Sequence, residues 1–324
     1  MEGPIVTAPP PPLVTVCVPT YNSEATVERC LRSISSQDYD NVEVLVIDDC
    51  STDDTVTICR KYSDSIHVLT NDHNLGLVGN HNRCIRLARG KYVKFVHADD
   101  YLLPGAISLM VSALESFPQA MLAFSRRTVD STVETFLRDS SELHGPLEPL
   151  SECTDGVVLL ERFIRDGARR NLFGEPTAIM FNRDAGESVG GFSHELPQLL
   201  DVGFCLALLE HGAAAWIDKP LSVRVHTYGT TSESNFAAGV GSLDVLKLQL
   251  ALTRSPKLSL RYRVIAGRLA AVSFTKALVK AILFGPRRSR LLELTTLAHQ
   301  YVVGDLQSPG AAAPGIQPGY SRMS

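Results

Sequence analysis

Three short runs rich in apolar and β-branched residues, 13–18 (LVTVCV), 42–47 (VEVLVI) and 91–96 (KYVKFV), most limit what this chain can fold into. Such runs read as strands buried on both faces, which belong to parallel sheets covered by helices. A further strand is expected at 66–70. Between the strands the spacing turns helical: Ala25, Val27, Cys30, Leu31 and Ile34 follow Ser23 as N-cap, Asp53 and Asp54 open a helix through Tyr62, and another spans 79–89. Strand and helix alternating over the first ninety residues predict βαβ units. Ligands of such sheets sit at the carboxyl ends of the strands. Polar groups fall at three of those ends: Thr20-Tyr21-Asn22, Asp48-Asp49 and His97 to Asp100.

Further along, a helix is expected over 104–117 and a strand over 120–125. Residues 126–170 carry turn signals at Gly145-Pro146 and Glu148-Pro149. A strand (TAIMF) lies within 172–182, a turn at Gly190-Gly191 and a short helix over 201–210. From about 241 to 300 the pattern is all-helical, with no internal repeats.

Composition removes whole classes of function. Apolar residues make up 44% of the 324, enough for a sizeable core. With 31 Lys plus Arg against 35 Asp plus Glu, the net charge of −4 gives no pull towards nucleic acid, and no such partner is expected. The seven cysteines include no C-x-x-C pair, which argues for buried thiols in a reducing compartment over a zinc or redox motif. The N-terminus lacks the basic and apolar regions of a secretory signal, and no apolar run approaches the ~20 residues of a membrane span. The expected location is cytoplasmic, soluble or peripheral on the inner face of the membrane.

Asp99 and Asp100 follow a buried strand, where adjoining acids are costly unless compensated. A divalent cation on a diphosphate compensates them, since Mg²⁺ and Mn²⁺ sites use one or two carboxylates plus phosphate oxygens. Asp99 could equally cap the helix near residue 104. The residues alone leave both readings open.

The ordered blocks PTYN (19–22), VIDDCSTDDT (46–55), NLGLVGNHNR (74–83), ARGKYVKFVHADD (88–100) and GGF…LLD (190–201) resemble the inverting family 2 glycosyltransferases over roughly residues 13–226. The resemblance implies an α/β GT-A fold: a Rossmann-like, mostly parallel central sheet flanked by helices, here with a C-terminal helical extension. It implies transfer of a sugar from a nucleoside-diphosphate donor (UDP, dTDP or GDP), with Mn²⁺ or Mg²⁺. The acceptor hydroxyl would belong to a glycan, a lipid-linked sugar or a small-molecule aglycone. The expected division is a disordered leader (1–12), a nucleotide-sugar half (13–125), an acceptor and catalytic half (126–240), a helical extension (241–304) and a disordered tail (305–324).

Roles follow residue by residue from the resemblance. Pro19, Thr20 and Tyr21 match the loop against base and ribose, Asp49 the acid that bonds the base, and Asn82 belongs to the block near it. Asp99 matches the metal-binding last acid of the Asp-x-Asp motif. The first acid of that motif is His97 here, a departure, at a position that faces the ribose and metal-bound waters. Asp201 stands at the place of the catalytic base, although an N-cap Asp would look the same. Glu175, in GEPT, matches a sugar-holding position and is the next candidate base; a turn carboxylate is the alternative. His226 matches a histidine that closes over metal or diphosphate, and Arg224 suits phosphate or a surface ion pair. The basic stripe Lys276, Lys280, Arg287, Arg288 and Arg290 is open to packing on its own domain, on the partner of a homodimer, or on an anionic membrane. Two rival functions are a catalytically inactive binding module on the same scaffold and a sugar nucleotidyltransferase. The latter class carries a Gly-rich, Arg-containing loop where this chain has PTYN.

Overall fold

The computed structural model describes residues 10–63, 65–131, 143–226, 240–284 and 287–303. Its elements in chain order are β1 (Val14–Thr20), α1 (Val27–Ser35), β2 (Val42–Asp48), α2 (Thr55–Arg60), β3 (His67–Thr70), α3 (Gly76–Leu87), β4 (Tyr92–Phe95), β5 (Tyr101–Leu102), α4 (Ala106–Ser116) and β6 (Ala120–Ser131). There follow β7 (Cys153–Thr154), α5 (Gly156–Arg165), β8 (Ile179–Asn182), α6 (Arg183–Ser188), α7 (Leu200–Leu209), β9 (Ala213–His226), α8 (Val240–Leu252), α9 (Leu260–Phe284) and α10 (Arg287–Val303).

One sheet runs in the order β3-β2-β1-β4-β8-β6-β9-β5, with β7 also paired to β9. The four strands of the N-terminal half are parallel, as the buried composition of β1, β2 and β4 predicts, and β3 at the edge is largely exposed. Beyond them β8 runs antiparallel to both β4 and β6, so the second half of the sheet is mixed. Side-chain alternation assigns the two faces. Val14, Val16, Val18, Val44 and Val46 pack against α1 and α4, while Cys17, Leu45 and Ile47 pack on the other side with α3, α5 and α7. Strand ends therefore meet loops along one edge of a three-layer core. The fold is the expected α/β arrangement with C-terminal helices.

Several local expectations change. Helix α1 starts after Thr26, and Ser23 contributes its carbonyl to Thr26 and Val27 N–H (3.0 and 2.9 Å), not its hydroxyl as a cap. Helix α4 starts after Gly105 (φ +80°), and its first N–H groups, of Ala106 and Ile107, donate to Gln37 Oε1 (3.0 and 3.3 Å), so Asp99 is not spent on capping it. Strand β6 continues to Ser131, and the 14-residue β9 lies parallel to it through three register irregularities. Sequence patterning misses β9 because Asp218, Lys219 and Pro220 interrupt its apolar run. Helix α5, capped by Asp155 onto Val157 N–H (2.8 Å), lies in the stretch 126–170, where the sequence offered only turn signals.

Pro11 and Pro12 carbonyls accept from Asn41 Nδ2 and Tyr39 O–H (2.7 and 2.6 Å), tying the segment before β1 to the core. Residues 1–9 of the expected leader and the tail at 305–324 lie outside the described residues. Helices α8 and α9 add Leu248, Leu252, Tyr262 and Ala266 to the main core, while Leu294 and Leu297 of α10 form a separate small cluster with Leu246 and Ala270. Among the described residues no helix is long and apolar enough to cross a membrane. The side chain of Lys276 is exposed, whereas those of Lys280, Arg287, Arg288 and Arg290 lie outside the described ones.

Candidate active site

The carboxyl ends of β1 and β2 are knotted together by buried polar groups. Thr20 Oγ1 donates to Asp48 Oδ1 (3.0 Å), and Asp49 N–H donates to the Thr20 carbonyl (2.8 Å). Asn22 and Cys50 adopt left-handed φ values of +46° and +66°, and Asn22 Oδ1 accepts from Thr52 N–H (2.9 Å). Two such residues facing each other at strand ends are strained backbone held by its surroundings, a pattern of binding sites. Asp49 accepts from Asn71 Nδ2 (2.5 Å) and Leu75 N–H (2.8 Å), both on Oδ1. Asn71 is braced in turn by Asn80 and Arg83. Pro19 and Thr20 are packed into this knot, and Tyr21 is exposed beside it.

Asn82 serves the scaffold. Its Nδ2 donates to the Phe192 carbonyl and its Oδ1 accepts from Phe192 N–H, both at 2.8 Å. The turn it pins requires Gly191 (φ +73°), where a Cβ would stand 2.4 Å from Asn82 Oδ1.

A cavity of about 730 Å³ lies beyond β4 and brings together His97, Asp99, Glu175, Asp201, Arg224 and His226. Pro19, Thr20, Tyr21, Asp49 and Asn82 stand outside its lining. Chain reversal after β4 places His97, Asp99 and Asp100 together, with one ligand atom of each within 4.8 Å of the others. Asp100 is buried and accepts from Thr177 Oγ1 (2.7 Å) and Val225 N–H (3.0 Å). Burial, and then the adjoining Asp99, push its carboxyl up to about 8. Asp99 lines the cavity while its backbone carbonyl accepts from Arg29 Nη2 (2.8 Å). Two crowded carboxylates with an imidazole form a donor set suited to a divalent cation, so the residues fit the metal the resemblance implies.

The imidazole of His97 has a partner that the sequence did not disclose. His97 Nε2 lies 3.0 Å from Nε2 of His81, whose Nδ1 is 2.8 Å from the Leu77 carbonyl. Burial, and secondarily His97, push the His81 pKa down to about 3. The His97 pKa is lowered by burial against an opposing pull from Asp99.

The floor beneath is a turn at Pro176–Ala178. Thr177 Oγ1 accepts from His97 N–H (3.1 Å) besides donating to Asp100. Lys94, fully buried under this turn, donates to the Thr177 and Ile179 carbonyls, and burial pushes its pKa down to about 7. A lysine in a strand otherwise read as buried was the available signal for this anchor.

Glu175 is held between Arg127 and Arg224. Burial alone would raise its pKa; the two guanidinium groups instead hold it below the ordinary range. Asp201 sits in the first turn of α7, after Leu199 as N-cap. Its Oδ2 accepts from Asn171 Nδ2 (2.6 Å) and its Oδ1 from Val202 N–H (2.8 Å). Burial dominates and pushes its pKa up to about 6. Asn171 completes an Asx turn, its Oδ1 accepting from Phe173 and Gly174 N–H (2.8 and 3.0 Å), which fixes the amide that holds Asp201.

The family described as "Glycosyl transferase family 2" matches residues 15–185. An uncharacterized protein of Mycobacterium tuberculosis is 35% identical over 281 residues, covering 86% of this chain and 88% of its own length. The UDP-Glc:α-D-GlcNAc-diphosphoundecaprenol β-1,3-glucosyltransferase WfaP of Escherichia coli is 35% identical over 105 residues, 32% of this chain and 42% of that enzyme. Among solved structures, Staphylococcus aureus TarS 1–349 in complex with UDP-GlcNAc superposes with a TM-score of 0.66 at 20% identity, covering 91% of this chain and 84% of that one.

Proposed function

The chain belongs to glycosyltransferase family 2, and we propose that it moves a sugar from a UDP-sugar to an acceptor hydroxyl by one inverting displacement with Asp201 as general base. The observation that carries this reading is the contrast between two acids on one cavity. Glu175 is locked by two arginines and held ionised, whereas Asp201 has a pKa raised to about 6 and a fixed orientation. A base works best when its pKa lies near the working pH, and Asp201 meets that condition. It would take the proton of the acceptor hydroxyl as that oxygen attacks the anomeric carbon. One displacement from the face opposite the diphosphate inverts the configuration.

The donor side falls to other residues. Asp49, Thr20 and Tyr21 would hold base and ribose, His97 would face the ribose and metal-bound waters, and Asp99 would hold Mn²⁺ or Mg²⁺. When bound, that cation offsets charge on the departing diphosphate. His226 lines the same cavity and would close over the diphosphate. UDP is the first donor to test because the TarS complex holds UDP-GlcNAc and the E. coli enzyme is named for UDP-Glc.

A lipid-linked sugar is the acceptor we favour. The E. coli relative is named for a diphosphoundecaprenol acceptor. From Arg254 to Leu292 the chain carries ten Lys or Arg and no acid. On α9, Val264, Val272, Val279 and Ile282 are exposed together with Arg261, Arg268 and Lys276. Exposed apolar residues among cations suit an anionic membrane surface, where such an acceptor resides.

The test is release of nucleoside diphosphate from UDP-glucose and UDP-GlcNAc with Mn²⁺, beside thermal shifts with UDP, dTDP and GDP. Turnover, with an inverted anomeric centre in the product, is the expected result. No release and no stabilisation by any of the three nucleotides would sink the reading. Stabilisation without turnover would favour a binding module on the same scaffold.

A further inference from the structure

The site presents a histidine where its resemblance leads one to expect a carboxylate, and a second histidine stands behind it. The hydrogen-bond chain decides what that first histidine can offer. His81 Nδ1 lies 2.8 Å from the Leu77 carbonyl. A carbonyl oxygen only accepts, so Nδ1 carries the proton. The His81 ring is 1% exposed, stacks on Phe95 (centroids 5.1 Å, planes 12° apart) and meets the edge of Phe192. Aromatic walls provide no counter-charge for an imidazolium, so the ring is neutral and its Nε2 holds a lone pair. That lone pair points at His97 Nε2, 3.0 Å away. Two lone pairs cannot face each other at that distance, so His97 Nε2–H donates. His97 then carries its own lone pair on Nδ1.

We propose that His81 is a positioning residue that fixes the His97 tautomer, so that His97 binds the divalent cation beside Asp99 directly through Nδ1. This rests on the nucleotide-sugar reading above. It differs from that reading in making His97 a metal ligand and not only a ribose contact. His97 lines the cavity with Asp99, and one of its two ring nitrogens shares the 4.8 Å cluster with the carboxylates. A ligating histidine whose other nitrogen is tied to a fixed partner is the usual arrangement at metal sites, although the partner is commonly a carboxylate or carbonyl. Here the partner is an acceptor imidazole, itself tied to the Leu77 carbonyl by one further hydrogen bond.

The chemical consequence is metal preference. A neutral nitrogen donor in place of a carboxylate removes one negative charge from the site. It disfavours Mg²⁺, which prefers oxygen ligands and retained water, relative to cations that accept imidazole. Binding with a nucleoside diphosphate should therefore tighten in the order Mg²⁺, Mn²⁺, Co²⁺. His97→Asp should narrow the gap between Co²⁺ and Mg²⁺ by about tenfold or more.

The decisive experiment is pulsed EPR on the full chain with Mn²⁺ and UDP, dTDP or GDP in turn, looking for ¹⁴N modulation from a directly bound imidazole. The parent should show it, and His97→Asn should lose it. His81→Phe fills the same space without an acceptor and should weaken Mn²⁺ binding about 10- to 100-fold. His81→Gln offers an acceptor oxygen to His97 and should restore part of that loss. Mn²⁺ taken up with nucleotide but without nitrogen modulation overturns the proposal and leaves the transferase reading intact. No Mn²⁺ uptake with any of the three nucleotides overturns both. Should His81→Phe fail to fold, ring ¹⁵N shifts of the parent decide the tautomer. A protonated Nδ1 on His97 in the metal-free protein overturns the proposal, and a bare one supports it.

Discussion

Asn171 donates its amide N–H to Asp201 Oδ2 at 2.6 Å while its own carbonyl oxygen is fixed by the backbone of Phe173 and Gly174. The orientation of Asp201 is thus set by a loop before β8 and not by α7 alone. Asn171→Ala removes that donor from a carboxylate whose ionised form it favours. A hydrogen bond to a charged group carries roughly ten- to hundredfold in an equilibrium or rate. We expect kcat to fall by about that factor with donor KM little changed. Steady-state kinetics with the donor varied would check this; a loss confined to donor KM would contradict it.

The raised Asp201 pKa gives two pH dependences of definite sign. Activity should climb with pH through about 6 as the base ionises, then level off. Stability moves the other way: ionising Asp201 costs more in the native state than in the unfolded chain. Its contribution is full below the ordinary carboxylate range near 4 and lost as pH rises through about 6. Asp201→Asn should therefore melt no lower than the parent at pH 8. A lower melting temperature at that pH would contradict the assignment.

Glu175 answers to a different test. Replacing it with Gln leaves Arg127 and Arg224 near each other without the carboxylate between them. Breaking a buried ion pair from one side typically costs about 3–5 kcal/mol. Glu175→Gln should lower the melting temperature clearly, unlike Asp201→Asn. If it instead melts like the parent and loses only the rate constant, Glu175 is the base.

The exposed face of α9 predicts lipid dependence. The triple variant Arg261→Glu, Arg268→Glu, Lys276→Glu should lose co-sedimentation with vesicles containing phosphatidylglycerol, since each cation near such a surface contributes about 1 kcal/mol. Neither protein should sediment with pure phosphatidylcholine. Parent protein that ignores both vesicle types, and dimerises through this face instead, would contradict the membrane reading.

How much of this was legible follows from where each signal resides. The strands β1, β2 and β4 are written in contiguous apolar residues, and the acids that follow β2 and β4 stand out as polar groups at the carboxyl edge of the sheet. Asp99 and Asp201 follow from short motifs whose spacing survives in one dimension. Glu175 was visible as a residue but not as the centre of a cluster, because Arg127 and Arg224 stand 48 and 49 residues away. His81 was hidden for the same reason: on an amphipathic helix a histidine at a buried position looks like packing until β4 brings His97 against it. Strand β9 was lost because its pairing follows the irregular edge of β6, and its own sequence breaks midway at Lys219-Pro220.

The most direct test of the account is Asp201→Asn, assayed on one purified preparation for transfer rate and for donor affinity. Asn keeps the size of the side chain and its place in the first turn of α7, but it cannot accept the hydroxyl proton. Losing a general base typically costs ~100- to 10,000-fold in rate, while the groups expected to hold the donor, Asp49 and Asp99, are untouched. The expected result is a rate reduced by that factor with UDP affinity unchanged. A variant that keeps a tenth or more of the parental rate, or that loses donor binding in step with activity, would contradict it.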